Sequence, residues 1–122
     1  MKRFTHILAA TVLGAAMLAL GGQRADAGRI GGPATDIVTV PPSQSSYFDV
    51  AFAAGSPAVV AITGGGTTNV DLFVHDADGN VTQGVGFGDR KAAAIGVYRT
   101  GYFRIEIRNN GLVPSTVAVG TN

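Results

Sequence analysis

Three stretches of this chain alternate apolar and polar residues with a period of two. In Tyr102–Arg108 (YFRIEIR) every second residue is Phe or Ile, and Tyr, Arg and Glu stand between them. Tyr47–Ala53 (YFDVAFA) and Val70–Asp76 (VDLFVHD) follow the same pattern. Alternation at every second residue is typical of a β-strand with one buried face. These three stretches are therefore predicted to be strands.

Shorter β-prone runs lie between these stretches and are separated by Gly, Pro, Asn and Asp, the residues that favour turns. They are Ile37–Val40, Ala58–Thr63, Val81–Thr82, Ala92–Tyr98 and Ser115–Val119. The glycine-rich stretch Gly84–Asp89 is expected to be a loose connection. No part of the chain after residue 28 has a helical period. About eight short strands with frequent turns predict an all-β fold, an antiparallel β-sandwich that is jelly-roll-like.

The N-terminal 27 residues differ in kind from the rest. Lys2 and Arg3 precede an apolar run over Ile7–Leu20, which is shorter than the roughly 20 residues of a membrane-spanning helix. Ala25–Ala27 supplies a cleavage site of small residues, so residues 1–27 are predicted to be a signal peptide. The alternative is an uncleaved membrane anchor. We expect a secreted or periplasmic bacterial protein, with a flexible leader over 28–45 that contains an edge strand, and a sandwich domain over 46–122.

Composition narrows the function classes once the predicted signal peptide is set aside. The remaining residues have six basic and seven acidic side chains, a formal charge of −1. A chain so close to neutrality has no electrostatic signature of nucleic-acid binding. Cysteine is absent, so no disulfide can support the small core. We therefore expect no nucleic-acid partner and no membrane span after signal cleavage.

A set of short motifs follows the order found in one bacterial family. Tyr47-Phe48-Asp49-Val50 comes first, then Asp71-Leu72-Phe73-Val74-His75-Asp76 with Asp78-Gly79-Asn80, and finally Thr100-Gly101-Tyr102-Phe103-Arg104-Ile105. Over residues 46–119 the chain resembles the bacterial pre-peptidase C-terminal domain. The resemblance implies a jelly-roll-like β-sandwich of the kind appended to secreted proteases and other exported enzymes. No catalytic domain accompanies the motifs here, so we expect a stand-alone copy.

The acidic residues of one predicted hairpin are candidate calcium ligands. Asp76, Asp78 and Asn80 alternate in a turn, and Asp71 lies in the strand before it. Calcium takes 6–8 oxygen ligands, although the spacing here is not that of an EF-hand. The resemblance adds some support, since some relatives in this family bind calcium through acidic residues. The alternative is a turn in which Asp and Asn side chains bond their own backbone.

Catalytic machinery is not indicated by the residue types. After residue 27 there is one histidine, His75, and no cysteine, and the serines near residue 45 lie in a polar stretch before a strand. A set of nucleophile, base and orienting residue is not apparent. His75 is expected to be an exposed strand residue that faces away from Leu72 and Val74.

The outward side of the Tyr102–Arg108 strand is the second candidate site. Tyr102, Arg104 and Arg108 could bind a sugar or a partner protein, whereas the alternative is a solvated face with paired charges. We therefore expect a non-catalytic binding or accessory domain whose partner is a polysaccharide, a protein or an envelope component. The alternative function is a structural or self-associating component of the cell envelope.

Overall fold

The computed structural model describes residues 28–66 and 68–122, and these residues form nine strands and no helix. The strands are β1 (Ala34–Val40), β2 (Ser45–Phe52), β3 (Ala58–Thr63), β4 (Val70–His75), β5 (Val81–Gln83), β6 (Val85–Phe87), β7 (Arg90–Ile95), β8 (Gly101–Asn109) and β9 (Ser115–Thr121). The predicted signal peptide lies outside the described residues. Among those residues no helix is long and apolar enough to cross a membrane.

The strands form two antiparallel sheets. The five-stranded sheet has the order β1-β9-β3-β7-β6, and the four-stranded sheet has the order β2-β8-β4-β5. The chain passes between the sheets at most of its connections, and only β4–β5 and β6–β7 join neighbours in one sheet. This is the arrangement of a jelly-roll sandwich. The predicted fold class is therefore confirmed.

The ninth strand arises from the glycine-rich stretch that was expected to be loose. Val85–Phe87 pairs with Arg90–Ala92 in a short antiparallel hairpin. Gly86 adopts a φ of +147°, and a Cβ atom at this position would collide with the carbonyl oxygen of Arg90. Only glycine permits this conformation at so close an approach. The glycines therefore shape an edge strand, and the prediction of a loose connection was wrong here.

The core lies between the two sheets and contains the apolar residues that the alternation assigns to one side. Phe52 and Phe103 meet edge to face with ring centroids 5.7 Å apart. The buried members of this core are Val40, Val50, Phe52, Ala58, Val60, Ile62, Val70, Leu72, Val74, Ala93, Val97, Phe103, Ile105, Ile107, Val117 and Val119. Burial of a Val, Leu, Ile or Phe side chain contributes roughly 1.5–3 kcal/mol. This interior accounts for a stable fold without disulfides.

The segment 28–45, expected to be a leader with an edge strand, contains β1. This strand pairs with β9 along its whole length, and Val40 is fully buried. Arg29 forms an isolated bridge with Phe52, and its guanidinium lies 2.9 Å from the hydroxyl of Thr121. β1 is thus an edge strand of the five-stranded sheet, while the domain boundary at residue 46 stays a prediction.

Candidate functional site

The outer face of the four-stranded sheet carries polar and aromatic side chains. β8 lies between β2 and β4, and its outward residues are those that the alternation indicated: Tyr102, Arg104, Glu106 and Arg108. Tyr47 of β2 and Phe73 of β4 are the cross-strand neighbours of Glu106. The register therefore brings aromatic rings to both sides of a carboxylate.

Glu106 is buried, although it lies on the outward side of its strand. Only 3% of its surface is exposed. The Ser45 hydroxyl donates to Oε2 at 2.8 Å, Arg108 donates to the same oxygen at 2.9 Å, and His75 Nε2 lies 2.9 Å from Oε1. Burial raises the pKa of Glu106, but these hydrogen bonds outweigh it and hold the pKa below its ordinary value.

This cluster stabilises a carboxylate and does not activate a nucleophile. Ser45 and His75 bond to opposite oxygens of Glu106, so the acid stands between them. The base within reach of the Ser45 hydroxyl is Glu106, and the lowered pKa of Glu106 makes it a weak proton acceptor. The sequence indicated that His75 faces away from the core, and the alternating burial of β4 agrees. Its partner Glu106 was not foreseen.

The three predicted binding residues of β8 all reach the outer surface. Arg104 donates to Asp49 at 3.1 Å, and both side chains are largely exposed. The guanidinium of Arg108 lies over the ring of Phe73, 4.5 Å from its centroid, in a cation–π contact. Tyr102 is 70% exposed. Arg104 and Arg108 are thus held by partners, while the ring of Tyr102 is open to solvent.

Tyr102 also borders a pocket at one end of the sandwich, which we call the end pocket. It has a volume of about 280 Å³ and lies between the β4–β5 turn, the β7–β8 loop and the start of β8. Its lining includes Asp76, Asp78, Tyr98, Arg99 and Tyr102. Arg99 Nη2 contacts both carboxylate oxygens of Asp78, at 3.2 and 3.0 Å. The end pocket therefore combines exposed rings with an exposed ion pair.

The acidic turn, residues 76–80, is closed by its own side chains. Asp76 Oδ1 accepts from the amides of Asp78 and Asn80, at 2.9 and 2.8 Å, and Oδ2 accepts from Asn80 Nδ2 at 2.9 Å. The hydrogen bonds from the Asn80 side chain and amide lower the pKa of Asp76. These contacts are those of an Asp-capped turn.

Asp71 lies at the opposite end of β4 from the acidic turn. A five-residue separation along a strand spans roughly 16 Å. Lys91 Nζ donates to Asp71 Oδ1 at 2.7 Å and to the carbonyl of Val70 at 2.9 Å, and Asn110 donates to Oδ2 at 2.8 Å. The bond from Lys91 lowers the pKa of Asp71 against the effect of burial. Because Lys91 belongs to β7, this pair joins the two sheets.

Comparison with solved structures identifies the fold. The crystal structure of the pre-peptidase C-terminal domain of a collagenase from Bacillus anthracis matches with a TM-score of 0.57 and 9% sequence identity. The match covers 72% of this chain and 89% of that one. This chain has the fold of a pre-peptidase C-terminal domain. The resemblance predicted from the ordered motifs is confirmed at the level of the fold.

Other comparisons add less. A de novo designed double-stranded β-helix matches with a TM-score of 0.47 and 18% identity, over 72% of this chain and 97% of that one. No protein-family model and no curated protein matches the sequence.

The candidate calcium ligands of this pre-peptidase C-terminal-like domain do not converge on one point. Asp76, Asp78 and Asn80 share the acidic turn, whereas Asp71 is a strand length away. The oxygens of Asp76 accept bonds within the turn, and Asp78 is paired with Arg99. Within residues 28–66 and 68–122 no group of three His, Cys, Asp or Glu side chains has the spacing of a metal site. This arrangement does not fit a calcium site built from all four residues.

Two buried polar residues escaped sequence reasoning. The carboxylate of Asp89 is 2.9 Å from the Gly66 amide and 3.1 Å from the Thr68 hydroxyl. Burial raises the pKa of Asp89, and those bonds bring it below its ordinary value. Asn109 donates to the carbonyls of Val40 and Val113 at 3.0 and 2.7 Å. The burial of Asn109 could have been predicted from the alternation alone, because Asn109 falls on the inward side of β8 after Ile107.

Proposed function

We propose that the chain is an exported, non-catalytic binding domain that contacts its partner through the outer face of the four-stranded sheet. The observation that carries this proposal is the concentration of exposed aromatic and arginine side chains on β8, with Tyr102, Arg104 and Arg108 in one row. Aromatic and Arg side chains dominate the energetics of binding surfaces. A polysaccharide of the cell envelope is the partner that this face fits best, since rings and paired charges can both contact sugars.

The arrangement of Ser45, Glu106 and His75 supports a binding role for the face. The buried carboxylate holds His75 and Arg108 in place, and Phe73 supports the guanidinium of Arg108 from below. A binding surface gains affinity when its side chains are already ordered before the partner arrives. In this proposal Glu106 is therefore a positioning residue, and it does not contact the partner.

Co-sedimentation with insoluble envelope polysaccharide tests the proposal. We expect the exported protein to sediment with the polymer, and Arg108→Ala and Tyr102→Ala to weaken this binding by about tenfold each, the loss of a strong binding contact. Thr63→Ala, on the outer face of the other sheet, is the matched control and should bind as the parent protein does. Absence of sedimentation with any envelope polymer, or equal binding by all variants, contradicts the proposal.

Export rests on the pattern of residues 1–27. A cationic start, an apolar run and Ala25–Ala27 are the parts of a cleavable signal peptide. The intact mass of the protein recovered from periplasm or medium is expected to correspond to a chain that begins at Gly28. A mass that still includes residues 1–27 contradicts the prediction.

Self-association is the second candidate function, and the outer face of the five-stranded sheet favours it. Two rows cross this sheet, Thr35–Gly120–Ala61–Ala92–Val85 and Ile37–Ala118–Thr63–Arg90–Phe87, and Arg90 is their one charged residue. Ile37 and Phe87 are 68% and 91% exposed at the two edges of this face. A second copy of the chain suits this surface, because Arg90 is the one charged side chain that these two rows bring to the contact from each copy.

The mass of the exported protein as a function of concentration tests self-association. We expect a rise from monomer toward dimer that Ala92→Glu abolishes, since a charge would be buried in the contact. Ala51→Glu, on the outer face of the four-stranded sheet, is the matched control. A strict monomer at millimolar concentration, or a dimer that tolerates Ala92→Glu, rules out this face as the interface.

A further inference from the structure

The end pocket has features that the outer face of the sheet does not share. It is concave, with a volume of about 280 Å³, just below the roughly 300 Å³ at the lower limit for small-molecule sites. Its walls come from three separate parts of the chain, the acidic turn, the β7–β8 loop and the start of β8. A pocket of this size suits one ring-sized unit of a ligand.

Two tyrosine rings form the exposed aromatic part of the end pocket. Tyr98 is 93% exposed and Tyr102 is 70% exposed. The hydroxyl end of Tyr98 lies over Gly96, where a Cβ atom would be 3.4 Å from Oη. Large exposed rings cost solvation free energy and are found where a partner covers them. Neither hydroxyl makes a hydrogen bond within residues 28–66 and 68–122, so both remain open to a ligand.

The polar part of the end pocket is the pair of Arg99 and Asp78. Both side chains are largely exposed, and Arg99 uses one nitrogen for both oxygens of Asp78. The remaining N–H groups of Arg99 can donate, and the remaining lone pairs of Asp78 can accept. Asp76, by contrast, has its oxygens engaged within the acidic turn. Arg99 and Asp78 thus offer donors and acceptors side by side.

The charge of the end pocket selects among ligand classes. Asp76 and Asp78 face one cation, Arg99, so the pocket has a net negative charge and disfavours phosphate, sulfate or carboxylate ligands. The ion pair disfavours a purely apolar ligand, because its hydrogen-bonding groups would lose water without replacement. A neutral saccharide meets both conditions, since one face of its ring is apolar and its hydroxyls donate and accept.

We infer that the end pocket binds one ring of a neutral saccharide. The ring stacks on Tyr98 or Tyr102 through its C–H face, and its hydroxyls bond to Arg99 and Asp78. The rest of the sugar chain leaves the pocket past Tyr102 onto the outer face of β8. This inference rests on the proposed binding function and names its ligand class and a specificity site that includes Tyr98 and Arg99.

Titration with soluble neutral oligosaccharides of four to six rings, built from glucose, N-acetylglucosamine, mannose or xylose, tests the inference. We expect saturable binding of at least one of them to the exported protein. Tyr98→Ala is expected to weaken it by about tenfold, whereas Tyr98→Phe keeps the ring and should stay within about threefold. Phe87→Ala, which removes a 91% exposed ring from β6 on the other sheet, is the matched control.

The outcomes separate this inference from the broader function. Saturable binding that Tyr98→Ala weakens and Phe87→Ala does not weaken supports the saccharide site. No saturable binding, or binding that Tyr98→Ala leaves unchanged, overturns it. The broader binding function would still stand if the protein sediments with insoluble polysaccharide and Arg108→Ala weakens that sedimentation. Binding that weakens steeply with added salt also overturns it, because it would indicate a charged ligand.

Discussion

The outer faces of the two sheets cover the same core but differ in chemistry. The four-stranded face has ion pairs, an aromatic–arginine contact and a buried carboxylate, whereas the five-stranded face consists mainly of Ala, Thr, Gly and Val, with Arg90 on the inner strand β7. Both arise from the same alternation along their strands. The inward side chains of both sheets form one core, so the outward side chains of each sheet can differ in chemistry without disturbing that core.

The difference teaches that an outward position need not be an exposed one. Glu106 lies under the side chains of Ser45, His75 and Arg108. Ser45 and His75 approach it from the neighbouring strands, and Arg108 lies two residues further along β8. Alanine and glycine at corresponding places on the five-stranded sheet have side chains too short to cover a neighbouring residue. Side-chain length therefore decides whether a sheet surface becomes a hydrogen-bonded layer or a flat apolar one.

Removal of Glu106 should have the largest effect on stability of any substitution on an outward face. Glu106→Ala leaves His75 and Arg108 without their buried partner, and we expect the free energy of unfolding to fall by about 2–4 kcal/mol. Thr63→Ala, on the five-stranded face, should change it by less than about 0.5 kcal/mol. Urea unfolding of both variants measures the difference, and equal losses would contradict the distinction between the two faces.

Loss of the Lys91 ammonium should have a smaller but measurable effect on the free energy of unfolding. Lys91→Met keeps the length of the side chain but leaves the Val70 carbonyl and one oxygen of Asp71 without a donor. We expect a loss of about 1–3 kcal/mol in the free energy of unfolding. Arg104→Met removes an exposed partner of Asp49 and serves as the control, with little change expected. A loss no larger than in the control would mean that the link between the sheets contributes nothing.

Acid should destabilise the protein, in part through the four-stranded face. Glu106 and Asp71 have pKa values lowered below 4.5 and 3.8, the ordinary values. A carboxyl with a lowered pKa in the folded state contributes stability above its unfolded pKa and loses it as pH falls toward the folded pKa. The free energy of unfolding is thus expected to decrease below about pH 4.5. Glu106→Gln should flatten this decrease, and an unchanged slope would exclude Glu106 as a source.

Calcium should have a smaller effect on stability than any of these substitutions or acid. Because Asp76 and Asn80 bond to each other and Asp78 bonds to Arg99, we expect the melting temperature to be the same in millimolar calcium and in chelator. Thermal unfolding monitored by circular dichroism measures this. A higher melting temperature in calcium than in chelator, lost in Asp76→Asn, would show instead that the acidic turn rearranges to bind the ion, as the sequence prediction allows.

The parts of the candidate site differ in how far the sequence predicted them. The outward direction of Tyr102, Arg104 and Arg108 follows from the two-residue period of one strand. The pairing of His75 with Glu106 depends on the register between β4 and β8, residues 31 positions apart. The contribution of Tyr98 to the end pocket was missed because the alternation extended a strand over residues 92–98, whereas β7 ends at Ile95 and Tyr98 lies in the following loop.

The sequence by itself determined the all-β class, most of the strands and the inward face of most strands. A run that alternates apolar and polar residues can bury its apolar side only as a strand in a sheet. Only the tertiary structure decided which strands are neighbours, and with that the burial of Glu106, the link between Lys91 and Asp71 and the shape of the end pocket. The reason is physical: these contacts join residues far apart in the chain, and their energies depend on distances that only the packed sheets establish.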